Sequence, residues 1–434
     1  MGRPQTRRSA PAAHSRQRRK RRRAARTGRR RQVSGPEADR LQAALLAELA
    51  DGGHLIEEWC PAFAAARRHE FIPDTVWAQE DGRPRLLSRA ESPSEWLRAC
   101  YTDQPVAVQL DDGDESGRGY VSSSASMPSI VADMLTALDA EPGMRVLEIG
   151  TGTGWNAALL AARLGAEHLT TIEVDPGLAE QARDALKRTG FGGVTVVTGD
   201  GAAGHPEQAP YDRVLSTAAV QRVPIAWVKQ ARPGGRIITP WGTAFHNGTL
   251  AHLTVHQDGT ASGHFGGDVG FMWMREQRTP HGAVEDRIRP EHHFTETTTD
   301  LHPFHVLADF DASFTIGVRV PAVKSTLVYD GDIPGNTSYT VYLMAPDSGS
   351  WASWRITPDT TGRYRVRQHG PRQLFAELAA AYEWWETAGR PSHDRFGLTA
   401  TSRDQQQIWL DQPENVIGEP PPVPLLDPSQ PRSG

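Results

Sequence analysis

The middle of the chain alternates between two hydrophobic periods. Short apolar runs typical of buried strands occur at 146–149, 168–174, 194–198, 211–220 and 233–242. Segments with apolar residues at helical spacing lie between them, at 155–164, 176–188 and 225–231. This alternation predicts an α/β fold with a doubly wound, mostly parallel sheet. Two later runs, 249–255 and 271–275, predict antiparallel strands that bring the sheet to seven.

The turn after the first of these strands carries a glycine motif. The sequence RVLEIGTGTGW runs from Arg145 to Trp155 and places Gly150, Gly152 and Gly154 between strand and helix. Glycine permits positive φ and close approach of a ligand to the backbone. A nucleotide-like ligand is therefore expected at the start of the helix.

Acidic residues stand near the ends of three successive strands: Glu148, Glu173 and Asp200. Glu173 follows Gly154 by 19 residues, close to the offset of about 20 at which a carboxylate meets a ribose in such folds. Asp200, followed by Gly201, could accept a hydrogen bond from an exocyclic amine. A solvated loop carboxylate is the ordinary interpretation of either acid alone, but their common register favours an adenosyl cofactor. Because GTGTG lacks the spacing of GxGxxG, the loop favours S-adenosylmethionine over NAD.

Charge and composition divide the rest of the chain. The first 31 residues hold 14 Arg and Lys and no acid, which leaves −19 for the remainder of a chain of net charge −5. We expect a disordered basic arm over 1–36. One interpretation is an arm for nucleic acid or an acidic peptide. The favoured one is a solvated tail, or residues upstream of the true start codon.

Four further units are expected after the arm: a helical, substrate-proximal block over 37–122, a catalytic core over 123–282, an α+β extension over 283–412 and a disordered tail over 413–434. Two cysteines in 434 residues argue against a disulfide framework and favour a reducing cytoplasm. No apolar run approaches a membrane span. The histidines at 292, 293, 302 and 305 lack metal-ligand spacing, so no metal site is expected.

The motifs of residues 37–273 resemble those of protein-L-isoaspartate O-methyltransferases. The matching stretches are RRHEFIP, ACYTDQPV, SMPSIVADML, VLEIGTGTGWNAALLA, GDGAAGHPEQAPYDRVLSTAA and PGGRIITPWG. The resemblance implies a Rossmann-like class I methyltransferase fold with S-adenosyl-L-methionine as cofactor. It also implies a peptide or protein substrate with an aspartyl or isoaspartyl carboxylate.

In that family a serine before a proline-led helix faces the substrate carboxylate. The matching block places this serine at Ser126, with Ser124 and Ala125 beside it. Ser122, Ser123 or Ser124 could take its place in a shifted register. The same matching assigns cofactor contacts to Ser124 and Ala125, to the glycine loop, to Glu173 at the ribose and to Asp200 with Gly201 at the adenine. The loop residues are Gly150, Thr151, Gly152 and Gly154.

The long C-terminal extension suggests a more specialised substrate. Its motifs LHPFH, FDASFTIGVRVP, SGSWASW and AAYEWWETAGRP resemble those of actinobacterial relatives that accompany ATP-grasp ligases and convert an aspartate of a graspetide precursor to aspartimide. An ATP-grasp-modified precursor peptide is then a possible partner, and the extension is expected to form one wall of the peptide site. General repair of isoaspartyl proteins is the alternative. A nucleic-acid-binding protein on an inactive methyltransferase fold is the alternative of another class.

Overall fold

A computed structural model describes residues 35–420, except for gaps at 81–82, 115, 118, 279–283, 332–337, 359–361 and 402–404. Nearly all of the expected basic arm, and residues 421–434 of the expected tail, lie outside the described residues. No helix in the described ranges combines the length and the apolar character needed to cross a bilayer.

The N-terminal block mixes helices with a small sheet. Its elements are α1 (Gly35–Asp51), α2 (Cys60–Ala65), β1 (Thr75–Glu80), β2 (Arg83–Ser88), α3 (Pro93–Cys100), β3 (Val106–Leu110), β4 (Val121–Ala125) and α4 (Pro128–Leu138). The four strands form an antiparallel sheet of order β2-β1-β3-β4. The expectation of a helical block is therefore wrong for this part of the chain. Short strands whose partners lie about 30 residues away, such as Trp77 opposite Ala107, leave only a weak local pattern. The expected helix start at Pro128 is confirmed.

The central region forms the predicted doubly wound sheet. Its elements are β5 (Val146–Ile149), α5 (Trp155–Leu164), β6 (Leu169–Glu173), α6 (Pro176–Arg188), β7 (Thr195–Thr198), β8 (Tyr211–Ser216), α7 (Ile225–Gln230), β9 (Ala231–Gly242), β10 (Asn247–Val255) and β11 (Ala261–Gly266). Strands β7-β6-β5-β8-β9 are parallel, and β10 and β11 follow in antiparallel pairing. This order, with its reversal between β5 and β8, confirms the Rossmann-like class I methyltransferase fold.

One predicted strand is misplaced. The seventh strand is Ala261–Gly266. The run 271–275 instead passes beside the segment that follows β8, where Trp273 makes a single bridge to Ala219. Strands β10 and β11 form a hairpin through the turn at 256–260. In this turn the backbone N–H of His256 donates a hydrogen bond to Thr260 O at 2.7 Å. Met272, Trp273 and Met274 line a cleft, whereas Phe271 packs in the core.

The extension contains a second sheet and also enlarges the first. Its elements are α8 (Val284–Arg287), β12 (Thr295–Thr299), α9 (Phe304–Leu307), α10 (Phe310–Arg319), β13 (Lys324–Tyr329), β14 (Tyr339–Ala345), β15 (Ser350–Ile356), β16 (Tyr364–His369), α11 (Leu374–Thr387), β17 (Phe396–Ala400), β18 (Gln406–Leu410) and β19 (Val416–Gly418). The order of the second sheet is β12-β16-β15-β14-β13, and α11 packs against it. Strands β17–β19 then extend the large sheet to ten, beyond β11.

Two hydrophobic cores cover the faces of the large sheet. One includes Leu135 of α4 and Leu159 of α5, and the other includes Trp227 of α7, Phe314 of α10 and Phe396 of β17. The extension thus contributes side chains to the core of the methyltransferase sheet. The expected boundary at residue 413 also differs from the structure, because β19 lies beyond it.

Candidate active site

A cleft of about 990 Å³, open to solvent, lies where the parallel strands end and the strand order reverses. Residues predicted from the sequence line it from three directions: the serine segment, the glycine loop and the ends of β6 and β7. They are Ser124, Ala125, Ser126, Gly150, Thr151, Gly152, Glu173, Asp200 and Gly201. Gly154 is the one predicted residue outside the lining. Its φ is +84°, and an added Cβ would lie 3.4 Å from the Ala182 side chain, so its place is in the packing of α5 on α6.

The glycine loop is shaped by positive φ angles. Gly150 has φ +90°, and a Cβ there would lie 2.6 Å from Thr217 Oγ1. Gly152 has φ +53°, and its Cβ would meet only Ser124 O at 3.8 Å and Ser123 Oγ at 4.0 Å, across the cleft. The loop therefore leaves a cradle that a side chain at Gly152 would fill. Such a cradle fits a ligand that approaches the backbone closely.

Glu173 ties the end of β6 to this loop. Its Oε2 accepts a hydrogen bond from Gly152 N at 2.8 Å, and its Oε1 accepts one from Asp175 N at 3.1 Å. The side chain is buried, and burial raises the pKa of Glu173 above its ordinary value. Each carboxylate oxygen has a second lone pair, so the group could still accept hydrogen bonds from a vicinal diol in the cleft.

Asp200 and Gly201 form the third wall. Asp200 Oδ1 accepts a hydrogen bond from Ala202 N at 2.9 Å, which caps the short turn Gly201–Ala203. An added Cβ at Gly201 would lie 2.4 Å from Ile149 Cγ2, so the close approach of this turn to β5 requires glycine. A polar acceptor beside an apolar strand end suits the edge of a heterocyclic base.

Glu148 lies behind the lining, within β5, and is fully buried. Its Oε1 accepts a hydrogen bond from Asn156 Nδ2 at 2.6 Å, and its Oε2 has no partner among the described residues. Burial raises the pKa of Glu148 to about 7. Below that pH the carboxyl is protonated and uncharged, so it adds no negative charge to the site.

Of the four serines that line the cleft, three have hydroxyls without a hydrogen-bond partner among the described residues: Ser123, Ser124 and Ser126. Ser122 Oγ is engaged, since it accepts from Asp112 N at 2.9 Å and donates to Gln109 Oε1 at 3.0 Å. Ser126 is half-buried, and its Oγ makes no hydrogen bond to any other described residue. Pro128 starts α4 two residues later. Ser126 therefore presents a hydroxyl to the cleft while its backbone is held from behind.

An ion-pair network along one side of the cleft was not anticipated from the sequence. Arg275 contacts Asp112 at 3.1 Å and Asp175 at 3.2 Å, and Arg278 contacts Asp112 at 2.5 Å. This network joins three segments: the loop between β3 and β4, the residues directly after β6 and the segment that follows Trp273. The basic residues that follow the apolar run FMWM were the only sequence feature pointing to it.

The extension does not contribute to this cleft: among the residues that the structure describes, no residue after 278 lines it. The aromatic face of α11 packs in the core of the extension, with Trp385 4% exposed. In the described ranges, no cluster of three His, Cys, Asp or Glu side chains is arranged to hold a metal ion.

Comparison with known proteins gives one family. The family model of protein-L-isoaspartate(D-aspartate) O-methyltransferase matches residues 88–278. The chain is 42% identical over 149 residues to the protein-L-isoaspartate O-methyltransferase of Ignicoccus hospitalis, a match covering 34% of this chain and 65% of that relative. For the Hyperthermus butylicus enzyme of the same name the identity is 38%, over 46% of this chain and 81% of the relative. The enzyme of the same name from Gloeobacter violaceus is 39% identical, and the match covers 53% of this chain and 84% of that relative.

Proposed function

We propose that this chain, which belongs to the protein-L-isoaspartate O-methyltransferase family, methylates the free carboxylate of an isoaspartyl residue. Family membership defines the class of enzyme, a carboxyl methyltransferase that depends on S-adenosyl-L-methionine. The observation that carries the proposal is the convergence of the Ser126 hydroxyl, the glycine cradle and two strand-end carboxylates in a single cleft.

The residues of the cleft fit S-adenosylmethionine. The cradle at Gly152 would hold its amino-acid portion, Glu173 would accept hydrogen bonds from the ribose hydroxyls, and Asp200 would accept one from the adenine amine. When bound, the cofactor supplies an electrophilic methyl group, which a carboxylate oxygen takes as S-adenosylhomocysteine leaves.

The protein's own part in this chemistry is positioning. The substrate carboxyl, with a pKa of about 4, is already ionised at neutral pH, so no general base is needed. The Ser126 hydroxyl can donate a hydrogen bond to one carboxylate oxygen and leave the other aligned with the methyl group. Orientation of this kind supplies much of the rate acceleration in transfers between two bound reactants. The ester carbonyl carries methoxide, a far better leaving group than the oxide of a free carboxylate. The neighbouring backbone nitrogen can then attack that carbonyl and close a succinimide ring, and methanol leaves with the amide proton.

The test is methyl transfer to an isoaspartyl peptide and to its L-aspartyl twin. We expect ester formation with the isoaspartyl peptide, and loss of kcat in Ser126→Ala with little change in the Kd of S-adenosylmethionine. Ser124→Ala tests the neighbouring serine that the sequence leaves as an alternative. If Ser124→Ala loses kcat while Ser126→Ala does not, the assigned serine is wrong. No ester with either peptide would contradict the proposed activity.

A second candidate is tailoring of a defined peptide that an ATP-grasp ligase has modified. The observation that favours it is the extension itself, which adds a five-stranded sheet and also builds β17–β19 into the methyltransferase sheet. Repair of isoaspartyl residues in many proteins gives no reason for this addition. Any contact of the extension with a peptide would lie outside the cofactor cleft, since no described residue after 278 lines it.

A competition assay on the full-length protein separates the two candidates. The substrates are a generic isoaspartyl peptide and a ligase-modified precursor encoded beside the gene. Preference for the precursor supports tailoring, whereas preference for the generic peptide supports repair. A chain lacking residues 1–31 that still forms ester would argue against a nucleic-acid-binding protein on an inactive fold.

A further inference from the structure

Arg68 is a buried cation in the short turn between α2 and β1, and only 1% of it is exposed. Its guanidinium donates hydrogen bonds to five backbone carbonyls and to no carboxylate. The acceptors are the carbonyl oxygens of Cys100 at 3.0 Å, Thr102 at 3.2 Å, Gln104 at 3.0 Å, Ala125 at 3.2 Å and Ser126 at 2.8 Å. Burial lowers the pKa of Arg68 to about 10, so the group stays charged at neutral pH.

Two of these carbonyls belong to the end of the serine segment. The shortest of the five bonds goes to the carbonyl of Ser126 itself. The other three carbonyls belong to the segment 100–104, which contributes a second contact: Asp103 Oδ1 accepts a hydrogen bond from Ser129 N at 2.8 Å, in the first turn of α4. The turn from Ser126 to Ser129 is thus held at both ends by groups that Arg68 organises.

Arg68 also reaches the opposite wall of the cleft. Its Cζ lies 5.2 Å from the ring centroid of Trp155, the first residue of α5 after the glycine loop. Trp155 lines the cleft, and its indole nitrogen donates a hydrogen bond to Ala66 O at 3.0 Å. One side chain therefore fixes the relative placement of the substrate serine and the helix that follows the cofactor loop.

We infer that Arg68 is a positioning residue for methyl transfer, acting through the backbone of Ser126 rather than by touching the substrate. The inference rests on the proposed function. The four N–H groups of the two Nη atoms bind carbonyls from two separate segments at once. A lysine ammonium, with three N–H groups on one atom, cannot reproduce that planar fork. Loss of the fork would let the Ser126 hydroxyl move relative to the methyl donor, and displacements of about 1 Å cost about 10²-fold in rate.

The experiment compares Arg68→Lys with Arg163→Lys. Arg163 is a matched control: it donates to the carbonyls of Ala140 and Glu58 and lies 5.1 Å from the ring centroid of Trp59, but does not contact the serine segment. Measurements are kcat and KM for the isoaspartyl peptide, and the Kd and stoichiometry of S-adenosylmethionine binding. We expect kcat of Arg68→Lys to fall by about 10²-fold, with one cofactor site per chain and an unchanged Kd, and no change in kcat for Arg163→Lys.

The outcome that overturns the inference is an unchanged kcat, or a kcat that falls only in proportion to the number of cofactor sites, because the latter reports unfolded protein. Should Arg68→Lys not fold, Arg68→Gln decides, since its neutral amide places no unpaired charge in the core and offers two N–H groups where Arg68 bonds five carbonyls. A reduced kcat with full cofactor binding then supports the inference, and an unchanged kcat refutes it. The proposed function fails separately, when the wild-type protein forms no ester.

Discussion

The buried carboxyl of Glu148 makes the stability of the fold depend on pH, and a single substitution is expected to remove this dependence. In the folded protein its pKa is about 7, against an ordinary value of 4.5, because the side chain is fully buried. Ionisation leaves a charge with one hydrogen-bond donor at Oε1 and none at Oε2 among the described residues. Glu148→Gln keeps the shape and the acceptor for Asn156, and removes the charge.

The direction and the size of this pH dependence follow from the two pKa values of Glu148, in the folded and in the unfolded protein. Between pH 4.5 and 7 the folded state holds the proton and the unfolded state does not, so the free energy of unfolding falls as pH rises through this window. One pKa unit corresponds to about 1.4 kcal/mol. The change from 4.5 to about 7 is therefore worth about 3 kcal/mol, most of which accumulates between pH 5 and pH 8.

Urea denaturation of the cofactor-free protein from pH 5 to pH 8 tests this. The quantity of interest is the difference in unfolding free energy between Glu148→Gln and wild type, which we expect to grow in favour of the variant with rising pH. Glu180→Gln, on the exposed face of α6, is the matched control and should show a constant difference. A pH-independent difference for Glu148→Gln would refute the argument that burial governs this carboxyl.

Three further outcomes are expected. Gly152→Ala should weaken binding of S-adenosylmethionine by at least about tenfold, or about 1.4 kcal/mol, because the added Cβ enters the cradle. The control for calorimetry is Gly190→Ala, at a glycine with φ +93° and no atom within 4 Å of an added Cβ. Equal cofactor affinities of the two variants would contradict the cradle. Glu173→Ala and Asp200→Ala should each weaken cofactor binding by calorimetry, and unchanged affinity in both would contradict their assignment. A chain ending at residue 283 should be largely insoluble, because it loses β17–β19 and the helix α10 that covers the sheet; a soluble fragment with unchanged cofactor affinity would contradict the shared core.

The parallel part of the fold was predictable because each of its elements follows from local sequence. Strands β5 to β9 are short apolar runs, and the helices between them bury one face. Chain connectivity then brings the carboxyl ends of parallel strands to one edge. For this reason Gly150, Glu173 and Asp200, which are far apart in sequence, could be assigned to one cleft before the structure was known. The roles of these residues stay predictions.

Other features depended on partners that no local pattern names. Strands β17–β19 are amphipathic runs that could have joined either sheet, and only the edge left by β11 decides that they extend the large one. The pairing of Arg275 with Asp112 and Asp175 likewise depends on how three loops meet. Ion pairs between distant residues, and the addition of strands to the edge of a sheet, form only when the folded surfaces meet. The sequence therefore shows which residues are able to pair but does not select the pairs that form.

The sequence by itself determined the chemistry that this chain carries: a glycine loop after a strand, acids at successive strand ends and a serine before a proline-led helix. The tertiary structure decided how that serine is held. Arg68 lies 58 residues before Ser126, and in sequence it is one basic residue beside another. It becomes the anchor of the serine segment only because burial removes water from five carbonyls, and the guanidinium is the donor that the fold brings to them.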